Sequence, residues 1–396
     1  MDYPKLVLKR GREKWLHEGH PWVFRAAVQT EPTEASPGSI VDVMDRAGRF
    51  VVRGYYNPHS SIPVRALTGD ESAEINADWL QERIRTAIGL RQFDDDVTNA
   101  YRLVHSESDF LPGLIVDRYN AFLVVQLHTL GLDLWRDQIA DILATELNPK
   151  GVYERSDVGA RQGEGLEALP VGVLAGDEPP DHVVIKENGA EFVCDIKTGQ
   201  KTGFFLDQRE NRLAVEAFCK GGEVLNCFSY SGGFSVFAAR GGAVTTESID
   251  ASEPALELAR ENLSRNGFAG ESHKCIRTHV FDHLKACREA GRAFDVVIVD
   301  PPAFAKSRGA LKRAQRAYVR LNQMAMEVLK PGGMLVSASC SSAVDYELFW
   351  DLLKQASAGA RRKVQVIQSH LQSADHPVSV AFPEGRYLKC FFCRVH

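Results

Sequence analysis

Two residues stand out for the chemistry they could do together. The run Phe294-Asp295-Val296-Val297-Ile298-Val299 enters Asp300-Pro301-Pro302-Ala303-Phe304, and Gly332-Gly333-Met334-Leu335-Val336-Ser337-Ala338-Ser339 enters Cys340-Ser341. A β-branched apolar run that stops at an acid and two prolines reads as a buried parallel strand entering a stiff loop. Helical spacing from Gln315 to Leu329 makes the connection a strand–helix–strand unit, and a right-handed crossover lays the two strands parallel. Asp300 and Cys340 then leave the same carboxyl edge of the sheet, where open α/β folds bind ligands. An acid and a thiol at one sheet edge form a candidate site. The alternative for Cys340 is a buried strand-end thiol.

A second group lies upstream. Val224-Leu225-Asn226-Cys227-Phe228-Ser229-Tyr230-Ser231-Gly232-Gly233 reads as a strand, a turn and a helix start, with glycines that let backbone approach a ligand. It lacks the GxGxxG of a dinucleotide site. Asp250 closes the next strand, where an acid is placed to accept from ribose hydroxyls. Asp282 follows the third strand and suits either an adenine amino group or a helix N-cap. With Asp300, these acids at successive strand ends describe a pocket for an adenosyl group without a pyrophosphate.

The elements that must position these residues follow from periodicity. From about residue 199 the pattern alternates strand and helix, with strands at 223–228, 243–250, 274–280, 293–300, 333–339, 363–369 and 386–395, predicting an α/β doubly wound domain over 199–396. Residues 1–72 predict a β-rich domain, with a hairpin about Asp45-Arg46-Ala47-Gly48. Residues 73–198 predict a central α+β domain that includes a hairpin about Asn188-Gly189.

Composition narrows the class. The 396 residues, 44% hydrophobic and 25% charged, suit a globular chain of two or three domains, and a net charge of −5 argues against wholesale coating of nucleic acid. No uninterrupted apolar run is long enough to span a membrane, and the N-terminus lacks a signal-peptide core. Eight scattered cysteines do not form a disulfide framework, so a cytoplasmic location is expected. Cys390 and Cys393 fall three apart on a strand, face opposite ways and read as packing residues, so no metal site is expected.

Two basic stretches could meet nucleic acid. Lys9, Arg10 and Arg12 lie near Trp15 and Trp22, a mixture that suits phosphate contact with base stacking or, alternatively, a solvated strand whose tryptophans pack inward. Lys306, Arg308, Lys312, Arg313, Arg316 and Arg320 occupy a stretch without acids, and Lys312, Arg316 and Arg320 share a helix face.

The segments Asn226–Ser235, Asp300-Pro301-Pro302-Ala303-Phe304 and Ser339-Cys340-Ser341 resemble motifs I, IV and VI of class I S-adenosylmethionine-dependent methyltransferases. The whole chain is similar to the bacterial large-subunit ribosomal RNA cytosine-5 methyltransferase family. Residues 8–12 and 19–24 resemble that family's PUA domain, an RNA-binding module. Gly199–Arg209 resembles the segment folded over the cofactor, and Asp375-His376-Pro377 with Phe382–Arg386 resembles the last motif. The resemblance implies S-adenosyl-L-methionine as cofactor, held by Phe204, Asp207, Arg209, Phe228, Ser229, Tyr230, Gly232, Gly233, Asp250, Asp282, Asp300 and Pro301. It implies large-subunit ribosomal RNA as partner, with a homodimer left open. Cys340 becomes the nucleophile toward cytosine C6, and Asp300 the residue on the N3/N4 edge. Many RNA cytosine-5 methyltransferases carry a second cysteine in the motif IV loop, where Ala303 stands here, an absence the resembled family shares. An amino-group methyltransferase and a non-catalytic RNA-binding assembly factor are the competing expectations.

Overall fold

A computed structural model describes residues 3–166, 171–304 and 308–396, with the backbone alone at Arg308. The chain forms two compact units, one of residues 1–183, 195–204 and 374–385, the other of residues 184–194, 205–373 and 386–396.

The second unit is built on a seven-stranded sheet. Its strands are β1 (Glu223–Cys227), β2 (Thr245–Asp250), β3 (His273–Arg277), β4 (Phe294–Val299), β5 (Leu329–Ser339), β6 (Val364–His370) and β7 (Lys389–Val395), and their spatial order is β3-β2-β1-β4-β5-β7-β6. The first five run parallel, while β7 inserts antiparallel between β5 and β6. Helices α1 (Gly233–Arg240), α2 (Glu253–Arg265), α3 (Val280–Glu289), α4 (Leu311–Glu327) and α5 (Tyr346–Ala360) make the connections. The continuous apolar character of the central strands follows from burial on both faces. Leu225, Val297, Val299 and Leu335 pack with Tyr318 and Leu321 of α4 and with Phe349 and Leu352 of α5. Val224, Val296, Ile298 and Val336 pack with Phe234 and Ala238 of α1.

Two of the boundaries that differ from the periodicity do so by four residues. Helix α4 starts at Leu311 rather than near Gln315, because basic and small residues continue its turn without a break. Strand β5 starts at Leu329, ahead of Pro331-Gly332-Gly333, because Leu329 pairs with Phe294. The register then shifts and Gly332 takes φ 78°, so the Pro-Gly-Gly turn is absorbed as an irregularity within the strand. Cys390 and Cys393 pack into the clusters on opposite faces of the sheet, and burial pushes both thiols up, that of Cys393 to about 12.

The first unit holds a six-stranded sheet from residues 5–68 and a five-stranded sheet from residues 100–176. Its returning segment 374–385 is tied in by Asp375, whose Oδ2 accepts from the Arg102 N–H at 2.8 Å and whose carbonyl accepts from Arg91. In the second unit, the Asn188-Gly189 turn joins strands Val183–Glu187 and Ala190–Cys194, with both turn residues at positive φ as a two-residue hairpin requires.

Leu335 is fully buried on β5. Leu335→Ala is expected to cost about 2–5 kcal/mol, read as a lower urea midpoint at an unchanged slope.

Candidate active site at the carboxyl edge of the seven-stranded sheet

Val299 of β4 pairs with Ser337 of β5, so the residues that follow each strand emerge side by side. Cys340 Sγ lies 3.9 Å from the Pro301 carbonyl oxygen, which places the thiol against the loop that carries Asp300. Gln208 Nε2 donates to Asp300 Oδ2 at 2.9 Å, and Asn211 fixes Gln208 by donating to its Oε1 at 2.6 Å. Gln208 was not among the expected site residues, although it sits in the Gly199–Arg209 segment. The turn around Cys340 is held from α4. Tyr318 Oη accepts from Ser339 Oγ and shares a hydrogen bond with Ser341 Oγ, both at 2.9 Å. Burial pushes the Tyr318 phenol up, so it remains protonated at neutral pH. Cys340 itself stays partly exposed while Ser339 and Ser341 are buried.

The glycine loop forms the neighbouring wall. Phe228 and Tyr230 both adopt positive φ, 59° and 47°, which is uncommon for aromatic residues. The Tyr230 N–H donates to Asp250 Oδ2 at 2.9 Å, the Ser252 N–H donates to Oδ1, and the Ser229 N–H donates to the Ile249 carbonyl. A Cβ on Gly232, at φ 77°, would stand 2.9 Å from Ala259 Cβ, so glycine is required for two reasons. Gly233 opens α1. Among the described residues, the buried Ser229 Oγ, Ser231 Oγ and Asn226 Oδ1 have no hydrogen-bond partner. Three orphaned polar atoms behind a glycine turn fit a polar ligand laid along this edge.

The remaining expected residues divide. Asp207 is buried, with Tyr387 Oη donating to its Oδ2 at 2.7 Å and the Ser373 N–H to its carbonyl. Phe205, next to it, sets its ring edge-on to Tyr230 at 5.3 Å. Arg209 is buried and pairs with Glu210 at 3.0 Å. Asp282 lies on the exposed first turn of α3, and the residue at that helix's N-cap is His279, not Asp282. Phe204 is buried in the first unit, where its N–H donates to Tyr119 Oη.

Of the basic residues, Lys312, Arg313 and Arg316 are exposed on α4, as is Arg320. Lys312, Arg316 and Arg320 line a groove of about 490 Å³ with Leu348, Leu352 and Gln355 of α5. Lys306 lies outside the described residues, as does the Arg308 side chain. Lys9, Arg10 and Arg12 are exposed. Trp22 is engaged within its own unit. Its indole N–H donates to Glu107, Arg65 covers its ring at 5.0 Å and Phe382 packs edge-on at 4.8 Å.

Residues 171–368 match the S-adenosylmethionine-dependent methyltransferase model and residues 6–69 match a PUA-like domain. A solved Streptococcus mutans chain described as a candidate SAM-dependent methyltransferase superposes with TM-score 0.85 at 24% identity, covering 99% of this chain and all of that one. A second structure with the same figures is complexed with S-adenosylhomocysteine. These matches define the class as an S-adenosylmethionine-dependent methyltransferase carrying a PUA-like domain.

The relatives named ribosomal RNA large subunit methyltransferase I include one from Photobacterium profundum, 44% identical over 98% of this chain and 99% of its own length. Another, from Salmonella arizonae, is 41% identical over all of this chain and 98% of its own length. The chain belongs to this methyltransferase family.

Because Gly232 holds a positive φ with no room for a methyl group, Gly232→Ala is expected to weaken S-adenosylmethionine binding at least roughly tenfold and to destabilise by about 1 kcal/mol or more. Calorimetric titration and a urea melt check this.

Proposed function

We propose that this chain methylates C5 of a cytosine in large-subunit ribosomal RNA through a covalent Cys340–C6 adduct. The observation that carries the reading is the Cys340 thiol lying against the Pro301 carbonyl, one residue from Asp300, at the sheet edge that also holds the Asn226–Gly233 loop. The names of the relatives supply the RNA, and the PUA-like match supports an RNA-binding function for the N-terminal residues. A ribosomal RNA substrate fits action in the cytoplasm.

Cytosine C5 is a weak nucleophile, and a thiol solves that problem. The Cys340 thiolate forms a bond to C6, and the C5–C6 electron pair is released toward C5, which becomes enamine-like. S-adenosylmethionine, when bound, supplies an electrophilic methyl group. Asp300, oriented by Gln208, accepts from the N4 amino group and in its protonated form donates its proton to N3, so the negative charge that builds there as the thiolate adds is taken up in an N3–H bond. Water takes the C5 proton, that electron pair re-forms the C5–C6 double bond as the C6–sulfur bond breaks, N3 returns its proton to Asp300, and Cys340 is regenerated as the thiolate. Pro301 and Pro302 restrict the loop that carries Asp300. The methyl donor is held by the Phe228–Gly233 loop with Asp250, whose Oδ2 also braces that loop through the Tyr230 N–H. A base must leave its stack to reach Cys340, so the substrate is single-stranded or locally opened RNA. Lys312, Arg316 and Arg320 provide an exposed basic face on α4 for its phosphates.

RNA carrying 5-fluorocytosine is expected to trap an adduct on Cys340, located by mass spectrometry of the digested protein. A folded Cys340→Ala variant is expected to lose the adduct and roughly 10³-fold or more in rate. Methylation at the wild-type rate by that variant would remove the thiol from the chemistry and favour amino-group transfer. Replacing Lys312, Arg316 and Arg320 with glutamine is expected to flatten the log–log salt dependence of RNA binding by up to about 2, measured by fluorescence anisotropy. An unchanged slope would make that face ordinary solvated surface.

A further inference from the structure

Among the described residues, the buried lysine and arginine side chains follow a rule with one exception. Arg53, Arg91, Arg155, Arg161, Arg209 and Arg212 are all buried, and each has a carboxylate partner, respectively Asp42, Asp109, Asp157, Asp133, Glu210 and Glu187. Lys389 is 1% exposed, and the hydrogen bonds its Nζ makes among the described residues go to no carboxylate. Its Nζ donates to two neutral acceptors, the Ser341 and Tyr387 carbonyl oxygens, each at 2.8 Å. An ammonium buried on neutral partners alone is costly, and such groups concentrate where the charge serves a site.

The place of this lysine is set by the sheet. Lys389 opens β7, and its Cα pairs with that of Ser339, the last residue of β5. Cross-strand partners project to the same face, so the side chain runs along the end of β5 and Nζ reaches the carbonyl just past Cys340. The titratable and charged groups around it come from four elements. Cys340 lies in the turn after β5, and Asp345 caps α5. Arg386 precedes β7, while Tyr318 of α4 bonds Ser339 and Ser341. Burial holds the Lys389 ammonium down to about 8, with Cys340 and Asp345 drawing it up and Arg386 opposing them.

We propose that Lys389 is a positioning residue for Cys340, its ammonium locked beneath the Ser339–Ser341 turn by two carbonyls so that the ionised sulfur is its counter-anion. The step is a simple ionisation: the S–H proton passes to water and the thiolate left behind is stabilised by the fixed positive charge. Lys389 touches neither base nor cofactor and acts through the sulfur. The inference rests on the reading of Cys340 as the nucleophile, but its test does not need RNA.

The test is the pH dependence of iodoacetamide alkylation of the full chain, followed at the Cys340 peptide by mass spectrometry. The thiolate sulfur bonds to the methylene carbon and iodide leaves, so the rate reports the ionised fraction. The wild-type midpoint is expected below the ordinary thiol value of about 8.5. Lys389→Met is expected to raise it by about one pH unit or more, equivalent to tenfold less thiolate at neutral pH. Lys389→Arg is expected to restore it part of the way. The advantage over Lys389→Met is greatest below about 8, where Lys389 keeps its proton. The acid limb of the methylation rate against pH is expected to move with the midpoint. A wild-type midpoint at or above the ordinary value overturns the proposal without any variant, and so does an unchanged midpoint in folded Lys389→Met. Full activity of Cys340→Ala alongside a shifted midpoint would instead sink the cytosine chemistry and leave the Lys389–Cys340 coupling standing.

Discussion

The parallel pairing of β4 with β5 is the constraint on which the site depends. Val299 opposite Ser337 fixes where both chains leave the sheet, and the thiol of Cys340 therefore meets the loop of Asp300. Residues 300–304 and 340–345 carry no helix or strand of their own, so the strands must hold them. Both are buried on their two faces, between α1 on one side and α4 and α5 on the other. A slip of one residue would turn every side chain to the opposite face, which the packing of both clusters forbids.

The edge is then finished by polar contacts that each join elements distant in sequence. Gln208 holds Asp300, Tyr387 holds Asp207, and Tyr318 bridges the serines on either side of Cys340. These bonds are buried or partly buried, where losing one partner leaves the other unsatisfied. They restrict the site to one arrangement before substrate arrives, which suits catalysis by preorganised groups. The backbone contributes in the same sense. Asp250 accepts from N–H groups in two turns, and the positive φ of Phe228 and Tyr230 is maintained because that carboxylate and the Ile249 carbonyl fix the loop from below.

Charge is distributed unevenly across these roles. The buried arginines are each matched by a carboxylate and so act as internal braces. The basic groups on α4 are exposed along a groove, where screening by salt governs them. Lys389 belongs to neither group, being buried, held by carbonyls and set at the turn of the only cysteine of the sheet's carboxyl edge that stays partly exposed among the described residues.

Local periodicity determined much of this molecule. Apolar runs ending in Asp300-Pro301-Pro302 and Ser339-Cys340-Ser341 announced two parallel strands and the juxtaposition of an acid with a thiol, because strand burial and crossover handedness leave few alternatives. The Asn188-Gly189 turn and the opposed packing of Cys390 and Cys393 were legible for the same reason, each being a property of consecutive residues. Tertiary structure decided what depends on neighbours distant in the chain. Pairing of Leu329 with Phe294 drew β5 back through a Pro-Gly-Gly that reads locally as a turn. Trp22, one of two tryptophans beside a basic run, received Glu107, Arg65 and Phe382 as partners. Lys389 looks like an ordinary strand residue until antiparallel insertion of β7 beside β5 carries its ammonium under Cys340, because a strand's neighbours are chosen by the sheet and not by the strand.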